Sequence, residues 1–442
     1  MRSFALDTLR WRESPGGVYT RSLDATESHF LGMRQQYVHH KKEWARLSTV
    51  MKIDFLTSDF VGAILHAWEW IRYRHPVLAS TVSASNTRVY KIPTQSDIKD
   101  WIQETFIVHN GYQNAQDFLS EVESVERATL HVFPQTQQLI LVVSHLTIDG
   151  DSLLLVINYL LEILNTPPGD VTYGDEIKNL PRPLKIAAHI SDPNESHVSK
   201  TQSTLNNWFS AYPSIGVGAK DVHESPGVTR SQGLEFSVEE SQKVIAAAKL
   251  AGLSPTYVIE AAIIMAAMDV DPLSTGRNFC TCGLFNLRDR CDIEDQDACM
   301  AYITFIPRVT TPGTFLEIAQ QLKDYYKQWK ADEDLLPMIE PMLSSFAAMK
   351  EMPDLPPNDM VSVSSLGRLE PRLESVHGAV TLEDLMIAWE NPDPGVTSHS
   401  WTRRGRITWR VCYNERYHEE KNIASWVASM RKHLLQGLDI DA

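Results

Sequence analysis

The sequence is poor in cysteine, with five in 442 residues and no C-x₂-C pair among them. So sparse and odd a set suits neither a disulfide framework nor a structural zinc site, and a reducing, cytoplasmic setting is the expectation. Cys280 and Cys282 would share one strand face, and Cys291 and Cys299 add no ligand spacing, so no metal is expected. Long apolar runs are missing too. The most apolar windows, 153–164 and 258–268, are interrupted by Asn158, Glu162 and Glu260 and fall short of the roughly 20 residues of a membrane span. Positive charge is in deficit: 41 Lys and Arg against 56 Asp and Glu give −15, with no basic block, which argues against nucleic acid or an anionic membrane as partner. MRSFALDTLRWRESPGG lacks an apolar core, so no secretory signal is expected. Also absent are the G-x-S-x-G elbow of serine hydrolases and a complete dinucleotide fingerprint, since Gly216-Val-Gly218 has no third glycine and follows no strand.

What is present is the composition of a soluble globular protein, 43% hydrophobic and 22% charged, at a length for one or two domains. Phe60, Val61, Ile64, Leu65, Trp68 and Ile71 recur at helical spacing over 57–74. Two β-rich stretches, 128–133 and 138–144, flank Pro134-Gln-Thr-Gln and read as a hairpin whose second arm, LILVVS, is continuously apolar and hence buried. His145 stands at its end, and Ser152 is expected to cap a helix through Leu164. From 166 to 230 the periodicity fails in favour of Pro, Gly, Asn and Ser, which predicts a crossover or linker. Beyond it the pattern predicts helices at 238–250, 256–267, 314–330 and 419–435, strands at 278–285, 301–309 and 361–364, and a hairpin at 398–413. The expected organisation is an α/β subdomain over 1–165, a crossover, and a second α/β subdomain over 231–442, acting as a monomer.

The sharpest chemical element is Ser144-His145-Leu146-Thr147-Ile148-Asp149-Gly150, an H-x-x-x-D-G sequence. A histidine at the mouth of a buried strand, fixed by a tight turn expected at Gly150 and followed by a rigid helix, is where a pre-organised base belongs. VVSHLTIDGDSLLLVINYLLEIL resembles the HHxxxDG segment of the chloramphenicol-acetyltransferase-like superfamily, which includes condensation domains, plant BAHD acyltransferases and fungal trichothecene O-acetyltransferases. IRYRHPVLAST at 71–81 is similar to the RHxxLR segment, FNLRDR at 285–290 to the N-x-R element, and VSVSSLGRLE at 361–370 to the S-x-L-G strand. WTRRGRITWRVCYNERY at 401–417 resembles the closing hairpin of the trichothecene-type branch. Ser144 replaces the first histidine, Ala79 the second arginine, and no DFGWG element occurs.

The resemblance implies two chloramphenicol-acetyltransferase-like subdomains, mixed sheets with helices, and an active-site tunnel between them. It implies acyl transfer, with acetyl the expected group, from a thioester to a hydroxyl or amine of a small secondary metabolite, with His145 and Asp149 as the catalytic pair and His145 as general base. Asp149 is expected to lock the loop through an ion pair with Arg288, or failing that Arg74. Ser364, Ser365, Trp401 and Thr402 are the candidates for the substrate tunnel. No permanently bound cofactor is implied; acetyl-CoA or another acyl-CoA is the expected co-substrate, met in trans. Condensation-type transfer from an acyl carrier protein stays open, as does a non-transferring relative acting as a binding module or pericyclic cyclase.

Overall fold

Every residue from Leu139 to Ser144 is buried, as the unbroken apolar run requires of a strand covered on both faces. The strand Gln138–Ser144 lies inside a six-stranded sheet, between Arg46–Phe55 and Thr129–Phe133, antiparallel to both. The sheet continues on one side through Val380–Trp389, antiparallel to Arg46–Phe55, to the short strand Val376–His377, and on the other to Phe106–Val108, parallel to Thr129–Phe133. The computed structural model describes residues 6–111, 114–294, 297, 299–349 and 360–441.

The chain divides into two compact units, each with mixed sheets and helices. The first comprises Met1–Ser191, Asn286–Ile303 and Glu370–Trp389. Besides the six-stranded sheet it holds a four-stranded one in the order Arg12–Ser14, Val18–Ser22, Thr87–Lys91, Thr81–Val82. The helices Phe60–Arg74 and Gly150–Asn165 bury Ile64, Trp68 and Ile71, and Leu153, Leu154, Ile157 and Leu161, respectively.

The second unit comprises Asp192–Phe285, Thr304–Leu369 and Glu390–Ala442. Its four-stranded sheet runs Val361–Arg368, Val396–Arg403, Arg406–Asn414, Thr229–Glu235, parallel in the first pair and antiparallel in the others. The helices Pro255–Val270, Phe315–Ala331 and Glu420–Gly437 pack around Phe236, Trp409 and Trp426, all fully buried. Glu260, the buried carboxylate of the apolar helix Pro255–Val270, accepts from Arg308 Nη1 at 2.6 Å and from the Tyr326 hydroxyl at 2.8 Å, contacts that offset the cost of burying it.

The division departs from the one drawn from the sequence in two respects. Residues 286–303 and 370–389, expected in the second subdomain, belong to the first unit: Val380–Trp389 pairs with Arg46–Phe55 from Phe55 to Leu47, and Arg288 and Arg372 bind Asp149 and Asp151. The stretch 166–230, expected as a crossover, carries the helix Glu195–Ser210, whose polar sequence buries only Thr201, Leu205 and Trp208 and so shows little periodicity. Among the described residues no single helix is long and apolar enough to cross a membrane.

Three histidines of the first unit are held neutral by burial: His75 after the helix Phe60–Arg74, His131 in the sheet, and His145. Desolvation pushes their pKa values down to about 3, 3 and 4. In an unfolded chain each would titrate near about 6.5. Below that pH the unfolded state takes up protons that the folded state refuses, so stability falls as the pH drops from about 6.5 toward 4. Each histidine should contribute a slope of about 1.4 kcal/mol per pH unit within that window. Urea denaturation at half-unit steps checks this; a free energy of unfolding that stays level from pH 6.5 to 4.5 would contradict it.

Candidate functional site

The chain leaves the strand Gln138–Ser144 in a tight turn, in which Thr147 N donates to Ser144 O at 2.9 Å. It enters the helix Gly150–Asn165 three residues after Thr147. The cap is Asp149 rather than the expected Ser152: its extended backbone (φ −102°, ψ −176°) lets Oδ1 accept from Ser152 N at 3.0 Å. Gly150 is the first helical residue and not the turn itself, a second correction, since the reversal is complete within 145–147.

His145 is 5% exposed. Its amide donates to Ala45 O at 3.2 Å, which continues the ladder to the neighbouring chain for one more residue. The imidazole lies flat on Phe30, with centroids 4.3 Å apart and planes 8° apart, and meets Trp389 edge-on at 5.4 Å and 73°. Nδ1 is buried with no hydrogen-bond partner in any other residue. Desolvation lowers the pKa to about 4 against the opposing pull of the Asp149 charge, so the ring is neutral at pH 7 and free to accept a proton.

Asp149 faces Arg288. Burial on its own would favour the protonated acid, but the guanidinium and two backbone amides hold the carboxyl below the usual carboxylate range. Arg288 Nη1 donates to Oδ2 at 2.7 Å and Nη2 to Oδ1 at 2.9 Å, a bidentate pair, while Tyr302 N donates to Oδ2 at 2.9 Å. The same Nη2 reaches Ser152 Oγ at 2.8 Å and Met300 O at 2.9 Å, and the guanidinium lies over the Tyr302 ring. Ser152 Oγ also accepts from Met300 N at 3.0 Å. The helix start adds a second anchor, Asp151, which accepts from Asn286 and Arg372. Two acids two positions apart thereby tether the segments 286–302 and 370–389 to one helix N-terminus, where partial positive charge favours both carboxylates.

Arg74, the alternative partner for Asp149, lies over the Tyr159 ring instead. Ser364 and Ser365 are half-buried on Val361–Arg368, with Ser365 Oγ 3.2 Å from Thr256 Oγ1. Trp401 is buried and Thr402 half-buried on the adjoining strand Val396–Arg403, Thr402 O accepting from Leu369 N at 3.0 Å. All four belong to the second unit. Phe30, Trp389, Asp151 and Arg372 were missed by sequence reasoning. The D-G-D spacing was a usable signal for Asp151, whereas Phe30 and Trp389 reach the site from distant elements and leave no local pattern. Among the described residues no group of three or more His, Cys, Asp or Glu is arranged to hold a metal ion.

No protein-family model matches the chain. It is 22% identical over 463 residues to the acetyltransferase pigO of Monascus ruber, with 98% of this chain and 99% of the relative covered. Among solved structures, the TRI3 trichothecene 15-O-acetyltransferase from Fusarium sporotrichioides superposes with a TM-score of 0.85 at 18% identity, covering 99% of each chain. The first condensation domain of the CDA synthetase gives 0.69 at 13% identity over 96% of this chain and 97% of that one. The fold is therefore the condensation-type, chloramphenicol-acetyltransferase-like fold.

The Asp149 pair yields a thermodynamic expectation. Asp149→Asn and Arg288→Ala should each destabilise the protein by about 3 kcal/mol, since either change strands a buried partner. The double variant should cost clearly less than the sum of the singles. Urea unfolding of the four proteins measures the coupling, and costs that simply add would show the two side chains to be independent.

Proposed function

We propose that the chain is an acyltransferase that moves an acyl group, acetyl in the first instance, from a thioester to a hydroxyl or amine of a small secondary metabolite, with His145 as general base. The observation that carries this reading is a neutral imidazole with an unpartnered nitrogen, placed at a strand end and flanked by an aspartate already engaged by Arg288. Likeness along nearly the whole chain to an acetyltransferase supports the reaction class.

The chemistry needs little more than a base and a place for charge. The acceptor O–H gives its proton to the imidazole as its oxygen attacks the thioester carbonyl carbon. The tetrahedral oxyanion collapses, the C–S bond breaks, and the departing thiolate takes the proton back from the imidazolium. Asp149, saturated by donors, remains an anion throughout and lends its field to the imidazolium. Ser364, Ser365, Trp401 and Thr402 are proposed to line the substrate path and help to meet the oxyanion.

Transfer is proposed to be direct. Burial pushes the thiols of Cys280, Cys282 and Cys291 up to about 11, 12 and 12, and raises that of Cys299 as well, so none is a thiolate at neutral pH. A covalent acyl-cysteine would need what these residues lack, and a thioester is already activated. Free acyl-CoA is the proposed donor; the fold's condensation-domain likeness makes a carrier-bound thioester the second reading.

His145→Ala should keep its circular dichroism spectrum and lose about 10²- to 10⁴-fold in kcat with initial-rate patterns that intersect. Full turnover by the folded variant would remove His145 from the reaction, and parallel patterns with an isolable acyl-enzyme would overturn direct transfer. Calorimetric titration of acetyl-CoA, beside turnover with a holo carrier protein, separates the donors: transfer from the carrier alone favours the second reading, and transfer from neither refutes both.

A further inference from the structure

The helix Ala25–Tyr37 carries Glu27, Phe30 and Arg34 at spacings of three and four residues, hence on one face. Each is connected to the segment 144–146 by a different route. Phe30 is stacked on the His145 ring itself. Glu27, 1% exposed, accepts from Arg88 Nε at 2.8 Å, and Arg88 Nη2 donates to Leu146 O at 2.8 Å, the carbonyl one residue beyond His145. Arg34 Nε lies 3.6 Å from Glu43 Oε2, and the other Glu43 oxygen accepts from Ser144 Oγ, which in turn accepts from Leu146 N at 3.3 Å. Side chain, following carbonyl and preceding hydroxyl of the histidine are thus all referred to one rigid helix.

The helix is itself fixed in place. Asp24 and Glu27 form a reciprocal capping box, Arg21 grips both Glu27 oxygens at 2.6 and 2.8 Å, and Arg88 Nη1 reaches Ser80 Oγ at 3.0 Å. Two arginines on one buried carboxylate overrule its desolvation and keep Glu27 ionised. So costly an arrangement is more than stability requires of a helix that a plain apolar face would hold as well.

We propose that Phe30, Glu27 and Arg88 are positioning residues for His145: they set the plane of the imidazole and the path of its loop, so that the helix Ala25–Tyr37 aims the base at the acceptor. The inference rests on the function proposed above, but its decisive readout does not. Among the described residues, Asp149 on the loop is the charge that acts on the ring; the packed helix carries Glu27, bound to two arginines, and Arg34, beside Glu43. His29 is edge-on to Phe30 at 5.9 Å, and on the strand ending at Trp389, Glu383 is engaged with Lys52. Removing the Phe30 ring opens the imidazole to water without touching these charges, so the His145 titration should move up toward its ordinary value.

The test compares Phe30→Leu, Phe30→Tyr and Arg88→Lys with the unaltered protein, following the ¹³C-histidine resonances against pH, with His145→Gln assigning the signal. Phe30→Leu should raise the midpoint of His145 and lower kcat by on the order of 10- to 100-fold with KM within twofold, while Phe30→Tyr restores both. Arg88→Lys should lower kcat in the same sense; if it fails to fold, the two Phe30 variants decide alone. An unmoved midpoint in folded Phe30→Leu would overturn the proposal whatever the activity does. A moved midpoint together with a His145→Ala variant of full turnover would sustain the seating of the ring by Phe30 but remove His145 as the base of the proposed transfer.

Discussion

Asp149 accepts four hydrogen bonds while almost wholly out of water, and the most consequential of its donors is a guanidinium from 139 residues further along the chain. A carboxylate so placed must be ionised to keep Arg288, and Arg288 must be present for it to be ionised. From this mutual requirement the rest of the region follows. The pair caps the helix Gly150–Asn165, seats the segment around Met300 and Tyr302 through Ser152, and leaves His145, four residues earlier, without a carboxylate partner. An aspartate free to hydrogen-bond the imidazole would raise its pKa; one already claimed contributes only a field, and the ring stays neutral.

That economy separates two kinds of buried polarity. Glu27 with Arg21 and Arg88, Glu260 with Arg308, and Asp149 with Arg288 are closed systems, in which each charge has its counter-charge within hydrogen-bond reach. His145 is open: buried, uncharged, and with a nitrogen that no other residue engages. Stability does not call for such a group, since an apolar ring would cost nothing at low pH; His75 shares the burial and an unpartnered nitrogen, and what sets His145 apart is its place at a strand end four residues before an aspartate bound to Arg288.

Legibility in the sequence tracked how local each cause was. The strand Gln138–Ser144 and helices such as Phe60–Arg74, Val238–Leu250 and Phe315–Ala331 follow from apolar spacing within a dozen residues, and the hairpin Val396–Arg403 with Arg406–Asn414 from alternation around a glycine turn. His145, Asp149 and Arg288 were readable because a short motif fixes two of them and resemblance supplied the third. Boundaries moved where side chains rather than periodicity decide: Asp149 displaced Ser152 as cap because its carboxylate is also needed by Arg288. Strand Arg46–Phe55, with alternating Lys52 and Asp54 near one end, carried no continuous apolar signal, and nothing local announces that its partner is Val380–Trp389. Phe30 was invisible for the same reason.

The placement of Val380–Trp389 beside Arg46–Phe55 bears on how the polypeptide is made. Until residue 389 has left the ribosome, one edge of Arg46–Phe55 has no strand to pair with, and Asp149 awaits an arginine that is translated only at position 288. At about 5 to 20 residues per second, the interval between the two sheet partners is roughly 15 to 70 seconds. During it the nascent first unit exposes a strand edge, the feature that templates aggregation. Completion of this unit therefore waits on synthesis through residue 389, long after its sheet strands up to Gln138–Ser144 have been made.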